Sequence, residues 1–441
     1  MDIGEEAGPA SAVQSGQDPL FSKLVRWLIL PIALLTFVNA IDRVNISFAA
    51  SAMQRDIGLT PSAFSFGVSM FFVAYLIFQY PHALLLRYIG VRWWILISVS
   101  LWGVSGLLMA HVQAPFHVYV ARFLLGVAEA GLAPGMTYFI SQWVPRRSLA
   151  KAMAMVLAAV PVSLVLGGPI CGWLLGMSNP LGLPEWRWMF LISAIPNFVI
   201  AVVGYFYFVD RPGQARWLNE GERTQLLEEL AEGKEEHAPK MQWIEALKDA
   251  YVWRAALTWL FVMTGAYALV YWLPQLVRQL DIGHSEFAIG VISVLPQAGL
   301  VTGLLVNSWH SDRTGERYWH VGLAGILAGA ALIVAVMLPT GWAVIALLAV
   351  AGLAIGAAQG VFWTVPAAYG IGGGKVPVGI IAFVSIFGTA GGIIGPTIIG
   401  TILERTGSFS PAIVLLAVLL ILSCLTVVPL GRAKTRPAGA S

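Results

Sequence analysis

The hydrophobic pattern of this chain is a series of long apolar segments separated by short polar ones. A membrane-spanning helix needs roughly 20 apolar residues, and twelve segments meet that length. They cover about residues 26–50, 62–86, 93–112, 116–140, 149–177, 187–209, 252–277, 285–309, 318–338, 342–370, 376–402 and 409–431. The two-residue alternation of a membrane β-barrel is absent from the sequence. The pattern therefore predicts an all-α integral membrane protein with 12 transmembrane helices.

The longest hydrophilic segment inside the chain divides the predicted helices six and six. It covers residues 210–250 and includes the charged, helix-prone stretch NEGERTQLLEELAEGKEEHAPK. We therefore expect two six-helix bundles, at residues 23–209 and 251–431, joined by a cytoplasmic linker. Polar cytoplasmic tails are expected at residues 1–22 and 432–441.

The two halves repeat a short motif. Gly90 and Arg92, after the second predicted helix, recur as Gly315 and Arg317 after the eighth, at an offset of 225 residues. Internal repeats are typical of transporters whose substrate binds near the membrane midplane, between the repeats. The repeat indicates that the two bundles are pseudo-symmetric.

Composition and charge support this interpretation. Apolar residues make up 58% of the chain and charged residues 11%, whereas soluble domains carry about 25% charged residues. Twenty of the 26 Lys and Arg residues fall on one predicted side of the membrane, and such an excess marks the cytoplasmic side. Both termini are therefore expected in the cytoplasm. The two cysteines, Cys171 and Cys424, fall within predicted helices, which excludes a disulfide framework.

Four ionisable residues lie well inside the predicted helices. Asp42 and Arg43 are in the first helix, and Arg122 and Glu129 are in the fourth. Each charge at the centre of a lipid-facing helix costs about 2.5–3.5 kcal/mol, so four would cost roughly 10 kcal/mol. That sum is comparable to the net stability of a whole protein. The four side chains must therefore face a cavity, one another, or both.

Helical geometry predicts how these charges pair. Arg122 and Glu129 are seven residues apart and lie on one helix face, two turns from each other. The first helix runs toward the outside and the fourth runs toward the cytoplasm. Asp42, late in the first, and Arg122, early in the fourth, therefore both lie in the outer half of the membrane. This predicts an Asp42–Arg122 ion pair, with Glu129 nearer the membrane centre. Intramembrane carboxylates mark proton or ion pathways, although a static cluster that only fixes helix packing remains the alternative.

The second half has no interior charges and offers only neutral side chains. Each of these is a candidate substrate contact, or else a packing residue. They are Tyr267, Tyr271, Trp272, Gln275, Gln297, Gln359, Thr364, Ser385 and Thr389.

Several strings together resemble the anion:cation symporter family of the major facilitator superfamily. They are AIDRVNISFA, ARFLLGVAEAGLAPG, VPVSLVLGGPICGWLL, WRWMF, VDRPGQARWLNEGER, YWLPQ, FWTVPAAY and GTAGGIIGP. The resemblance covers about residues 25–430. It implies a bacterial inner-membrane symporter, working as a monomer without a cofactor, that imports a small organic anion such as a sugar acid, tartrate or an aromatic acid with protons.

The resemblance also implies roles for individual residues. Asp42 and Glu129 match the family's protonation sites, and Arg43 matches a residue implicated in anion binding. Arg122 matches a pairing or gating arginine, and Tyr75 matches a tyrosine near the site. In the cycle we expect, protons load both acids, the substrate carboxylate engages Arg43, and the halves rock inward. Release then lets Asp42 pair with Arg122 again.

Two departures from the family pattern affect these expectations. The first cytoplasmic motif lacks its usual acid before the arginine, whereas the second copy is complete and is expected to gate the inner side through Asp312, Arg313 and Arg317. Thr389 stands where the family has an asparagine, and His82 lies in an altered stretch of the second helix. These changes favour a less hydroxylated or aromatic acid.

Other classes of function fit less well. The seven histidines have no metal-ligand spacing and no nucleophile motif occurs, so neither an enzyme nor a metal site is expected. No nucleic-acid partner is expected either. A uniporter or an anion exchanger on the same fold remains the alternative to proton symport.

Overall fold

The computed structural model describes residues 19–178, 180–232, 249–282, 285–339, 341–367 and 378–433, and the regular structure in these ranges is helical. Eleven continuous segments are long and apolar enough to cross a membrane, and one of them bends into two helices, which confirms the prediction of twelve. In chain order they are α1 (Pro19–Ile57), α2 and α3 (residues 61–89 and 91–110 of Pro61–Ala110), α4 (Pro115–Ser141), α5 (Arg146–Leu175), α6 (Glu185–Tyr207), α7 (Ala250–Gln279), α8 (Glu286–Thr314), α9 (Tyr318–Met337), α10 (Trp342–Pro366), α11 (Ile380–Thr406) and α12 (Ser410–Gly431). The predicted tails and linker extend beyond these ranges, at residues 1–18, 233–248 and 434–441.

Local sequence signals fix where several helices begin. Pro61 and Pro115 stand in the first turn of α2 and α4, where the missing proline N–H is not needed. The Thr60 hydroxyl accepts a hydrogen bond from the backbone N–H of Ala63 at 3.2 Å and caps α2. Such caps satisfy N–H groups that the helix itself leaves unpaired.

The two repeated glycines occupy equivalent turns. Gly90 has φ = 79° and Gly315 has φ = 70°, a backbone region that favours glycine over residues with a Cβ. Each glycine ends one helix and allows a tight reversal, between α2 and α3 and between α8 and α9. The ψ angles differ, at 168° for Gly90 and 0° for Gly315, so the property that the two turns share is the positive φ that favours glycine.

The halves meet on the predicted outer side. The Ser65 hydroxyl donates to the carbonyl oxygen of Pro396 at 2.7 Å, and the Ser69 and Thr397 hydroxyls are 3.0 Å apart. These contacts join the outer parts of α2 and α11. A second pair of helices, α5 and α8, approach so closely at Gly168 that a side chain there would meet backbone. The molecule is therefore closed on its predicted outer side.

The segment after α6 packs on the first half. Trp217 stacks on Trp27 of α1, with ring centroids 6.3 Å apart. In the helix Glu220–Glu232, Glu222 forms an ion pair with Lys23 at 2.6 Å. The hydrogen bond from Lys23 holds the pKa of Glu222 below its usual value, so the pair persists at neutral pH and is lost only when the pH falls through that lowered pKa.

Candidate functional site

The centre of the site is an ion pair between α1 and α4. The Glu129 carboxylate is fully buried, and its Oε2 atom accepts from Arg43 Nε at 3.2 Å and from an Arg43 terminal nitrogen at 3.0 Å. The first helical segment of α4 ends at Glu129, and the chain turns before it resumes at Leu132. Asn39, one turn before Arg43, accepts from the same guanidinium at 3.3 Å. The other carboxylate oxygen, Oε1, is buried without a hydrogen-bond partner among the described residues.

A second arginine lies beside this pair. The guanidinium carbons of Arg43 and Arg122 are 5.1 and 5.0 Å from the centre of the Phe71 ring. Arg43 is also 5.3 Å from the centre of the Tyr75 ring, and Arg122 donates to the backbone carbonyl of Arg43 at 3.4 Å. Both cations are therefore gathered around aromatic faces, which attract positive charge.

The predicted Asp42–Arg122 ion pair is not formed in this structure. Asp42 instead accepts a hydrogen bond from the side-chain amide of Asn197 on α6, with Nδ2 and Oδ2 2.7 Å apart. The reason is rotation along α1: Asp42 and Arg43 are neighbours, so their side chains leave the helix about 100° apart. Arg43 faces α4, while Asp42 faces α6.

Two tyrosines of the second half complete the ring around the arginines. Tyr271 is fully buried and lies close enough to Arg122 to interact electrostatically. Tyr267 packs against Phe72 of α2, with ring centroids 4.7 Å apart. The two predicted residues thus face the charged cluster from α7, across the boundary between the halves.

Two other α7 candidates lie further toward the predicted outer side. The Trp272 indole N–H donates to the carbonyl oxygen of Pro396 at 3.2 Å, and its ring packs edge-on against Phe64. Gln275 lines a cavity of about 690 Å³ that opens between the halves on that side. Trp272 therefore contributes to the outer closure in this conformation, and Gln275 lies beside it at the cavity.

The hydroxyl candidates bond within their own helices. The Thr364 hydroxyl donates to the carbonyl of Val361 at 2.7 Å, and the Ser385 hydroxyl donates to a carbonyl of α11 at 2.7 Å. Thr389 donates to the Ser385 carbonyl at 3.2 Å. A hydroxyl bonded to its own helix still has lone pairs that can accept from a ligand, so these three remain predictions.

The predicted inner-gate residues lie at the turn between α8 and α9. Arg317 forms an ion pair with Asp312 at 2.6 Å, and Arg313 packs over the Trp309 ring at 5.7 Å. In the first half, where the motif lacks its acid, the Asp210 carboxylate lies at the turn between α2 and α3 and accepts from the backbone N–H of Val91 at 2.6 Å. An acid from the segment after α6 is thus present at this turn, bonded to the backbone rather than to an arginine side chain.

Sequence reasoning missed the neutral partners of the buried charges, Asn39 and Asn197. Both are buried amides within apolar helices, and polar groups buried in this way are expected to be hydrogen-bonded. Searching the predicted helices for asparagine as well as for charge would have found both. Asn39 lies one helical turn before Arg43, so its position relative to that charge was visible in the sequence.

The arrangement has balanced charge when all four groups are ionised. The charges of two carboxylates offset those of two guanidinium groups, and protonation of either acid leaves one positive charge in excess. A low-dielectric site with excess positive charge attracts an anion strongly. Within the described ranges, no group of three or more His, Cys, Asp or Glu side chains could hold a metal ion.

The comparison with protein families settles the fold. A model described as Major Facilitator Superfamily matches residues 32–370. The chain belongs to this superfamily. Its members are transporters, so the protein is a multi-pass membrane transporter and not an enzyme, as the sequence predicted.

Curated superfamily relatives match along most of the chain. A "Putative tartrate transporter" of Agrobacterium vitis is 38% identical over 413 residues, covering 92% of this chain and 94% of its own length. A "Quinolone resistance transporter" of Acinetobacter baumannii is 33% identical over 415 residues, covering 93% and 95%. The first of these agrees with the organic-acid branch of the superfamily that the motifs indicated.

Solved structures agree on the superfamily fold. A bacterial homologue of the human lysosomal transporter Spinster, in an inward-facing and unoccupied conformation, superimposes with a TM-score of 0.77 at 17% identity. The match covers 96% of this chain and all of that one. The chain therefore shares the fold of that structure.

Proposed function

We propose that this transporter imports a small organic carboxylate with protons by alternating access. The observation that carries the proposal is the buried Glu129–Arg43 pair, which lies beside a second arginine and faces the other half of the molecule. The Glu129 side chain is fully buried and the Arg43 side chain is 24% exposed, and a largely buried pair of this kind is weak evidence for stability, since desolvation offsets the attraction. Intramembrane carboxylates instead mark proton or ion pathways.

Competition for Arg43 is the proposed coupling step. Protonation of Glu129 removes the negative charge that holds the guanidinium, whose N–H groups then become available to a substrate carboxylate. When the proton leaves on the cytoplasmic side, Glu129 recovers its negative charge. Its ion pair with Arg43 then forms again and displaces the substrate carboxylate. Substrate release thus follows proton release, and Arg122 provides a second positive charge that holds the anion until then.

The substrate class follows from the site and from the relatives together. Tyr267 and Tyr271 offer hydroxyl and ring contacts from the second half, which suit a short acid with hydroxyl groups. The tartrate-transporter relatives favour a tartrate-like acid over the less hydroxylated or aromatic acid that Thr389 and His82 indicated. We place the protein in the bacterial inner membrane as a monomer with both termini in the cytoplasm, on the basis of its basic cytoplasmic loops.

The test is uptake into proteoliposomes under an imposed inward proton gradient, with a pH-sensitive dye in the lumen. The compounds are tartrate, galactonate, glucarate, phthalate, a hydroxybenzoate and a quinolone, the last chosen because of the quinolone-resistance relative. Lumenal acidification that depends on one carboxylate would support symport and identify the substrate class. Flux without a pH change would favour the uniporter or exchanger, and movement of the quinolone alone would contradict the proposal.

A further inference from the structure

We propose that Asn197 is a positioning residue that serves both protonation states of Asp42, as hydrogen-bond donor to the carboxylate and as acceptor from the carboxylic acid. This inference rests on the proposed proton coupling. Asn197 lies in the middle of α6 and is 1% exposed. Its Nδ2 atom is 2.7 Å from Asp42 Oδ2, and the same amide group lies 3.5 Å from the Ser193 carbonyl, one turn earlier.

The surroundings of Asp42 leave this amide as its direct partner. Asp42 is 6% exposed. Glu129 and Arg122 of α4 act on it electrostatically from a distance, and the Cys171 thiol of α5 lies within range of its charge. Among the described residues, no cationic side chain lies within ion-pair distance of Asp42. A buried carboxylate without a cation depends on its hydrogen bonds for stabilisation.

The carbonyl oxygen of the Asn197 amide explains why an asparagine stands at this position. Asn197 Oδ1 is buried without a hydrogen-bond partner among the described residues, which is unusual for a buried carbonyl oxygen. An ionised Asp42 accepts from the amide N–H, as observed. A protonated Asp42 carries an O–H donor, and rotation of the amide about its last side-chain bond brings the unpaired Oδ1 to accept it. The proton itself comes from and returns to water; Asn197 transfers none.

This two-way partner reduces the cost of each protonation step. A side chain that only donates, such as arginine, would hold Asp42 ionised, and an apolar one would hold it protonated. An amide stabilises both forms through one rotation. Asp42 can therefore load and release a proton without any helix moving to supply a new partner.

Infrared difference spectroscopy of the purified full-length transporter during a pH change tests the inference without knowledge of the substrate. The carbonyl band of protonated Asp42 is assigned by its loss in Asp42→Asn. In Asn197→Leu, which has a similar size and no hydrogen-bonding group, we expect the band to move to higher frequency. Its pH midpoint should rise by about one unit, since one hydrogen bond to a charged group is worth that much.

Two further variants keep the test decisive. Asn197→Ala removes the donor with a smaller apolar side chain and adds no titrating group, so it should also raise the midpoint, which covers the case in which the leucine variant does not fold. Ser193→Ala, on the same face of α6, removes a hydroxyl that bonds to its own helix and should leave the midpoint unchanged. An Asp42 band with the same frequency and midpoint in wild type and both Asn197 variants would overturn the inference. The absence of any Asp42 band in the wild type would instead contradict the proposed proton coupling.

Discussion

At the scale of single residues, Glu129 is the group whose charge decides what Arg43 can bind. Glu129→Gln mimics the permanently protonated acid, because the amide fills the same space without negative charge. We expect proton-driven accumulation to fall to background, while exchange of labelled for unlabelled substrate across the membrane continues, since exchange needs no net proton release. Both rates are measured in the same proteoliposomes.

The matched control is Glu228→Gln on the exposed face of the linker helix, which makes the same chemical change away from the site. It should retain both activities. Substrate accumulation above equilibrium in Glu129→Gln would show that this carboxylate is not part of the coupling. Loss of exchange together with accumulation would indicate that the residue is needed for the structure of the site.

Substitution of Arg122 tests whether its positive charge contributes to anion binding at the same site. It is 1% exposed, and its Nε atom has no hydrogen-bond partner among the described residues, so it has capacity left for a ligand. Arg122→Gln should weaken the apparent affinity for substrate roughly thirtyfold or more, since losing a buried charged partner costs about 2 kcal/mol or more. Arg122→Lys should recover part of the loss because it restores charge without the planar group.

The measurement is the substrate dependence of uptake, and Arg55→Gln on the exposed end of α1 is the control. Unchanged affinity in Arg122→Gln would remove this residue from the anion site. It would leave Arg43 as the sole predicted anion contact.

The sequence predicted which residues form the site better than it predicted how they pair. Charges inside apolar helices are visible from composition alone, because each is costly in lipid. Their partners depend on the rotation and tilt of the helices, which a one-dimensional pattern leaves open. Arg43 therefore pairs with Glu129, and the neutral Asn197 takes the place that was predicted for Arg122 at Asp42.

At the scale of helices, the apolar pattern gave the number and order of the spans because lipid imposes the same length on each. The breaks inside the spans were not predicted. The division of α4 after Glu129 was not visible in the apolar pattern. The contact of Asp210 with the turn between α2 and α3 joins segments far apart in sequence, which the pattern does not show either.

The start of α2 and the end of α11 are joined by a polar contact. The Glu404 carboxylate accepts from the Thr60 hydroxyl at 3.0 Å and from the backbone N–H of Ser62 at 2.8 Å. An acid at a helix N-terminus also interacts favourably with the helix dipole. Glu404 of the second half thus helps to hold the two halves together on the outer side.

Glu404→Gln should weaken this closure. The readout is the rate at which a membrane-impermeant thiol reagent labels Ser69→Cys, a position buried between α2 and α11 in this conformation. Because the contact is exposed, its loss is expected to raise the labelling rate by only roughly two- to fivefold. Glu185→Gln, a similar change at the start of α6, should have no effect, and an equal labelling rate in Glu404→Gln would contradict the role of this contact.

At the scale of the whole molecule, the buried charges lie in the first half, and the second half presents a neutral face to them. The segment after α6 is packed on the first half, since Trp217 and Glu222 both contact α1. Alternating access then requires the two halves to separate on the predicted outer side. The contacts between α2 and α11 must break during each cycle.

A reversible cross-link tests that requirement. The Ser69 and Thr397 hydroxyls are 3.0 Å apart across the two halves, and the Thr258 and Thr426 hydroxyls are 2.7 Å apart within the second half. Cysteines at such positions approach disulfide distance.

With Cys171 and Cys424 replaced by alanine, oxidation of Ser69→Cys/Thr397→Cys should stop transport and reduction should restore it. Oxidation of Thr258→Cys/Thr426→Cys should leave transport unchanged, because α7 and α12 belong to one bundle. Continued transport by a fully cross-linked first pair would mean that the outer side does not open, and alternating access between these halves would have to be abandoned.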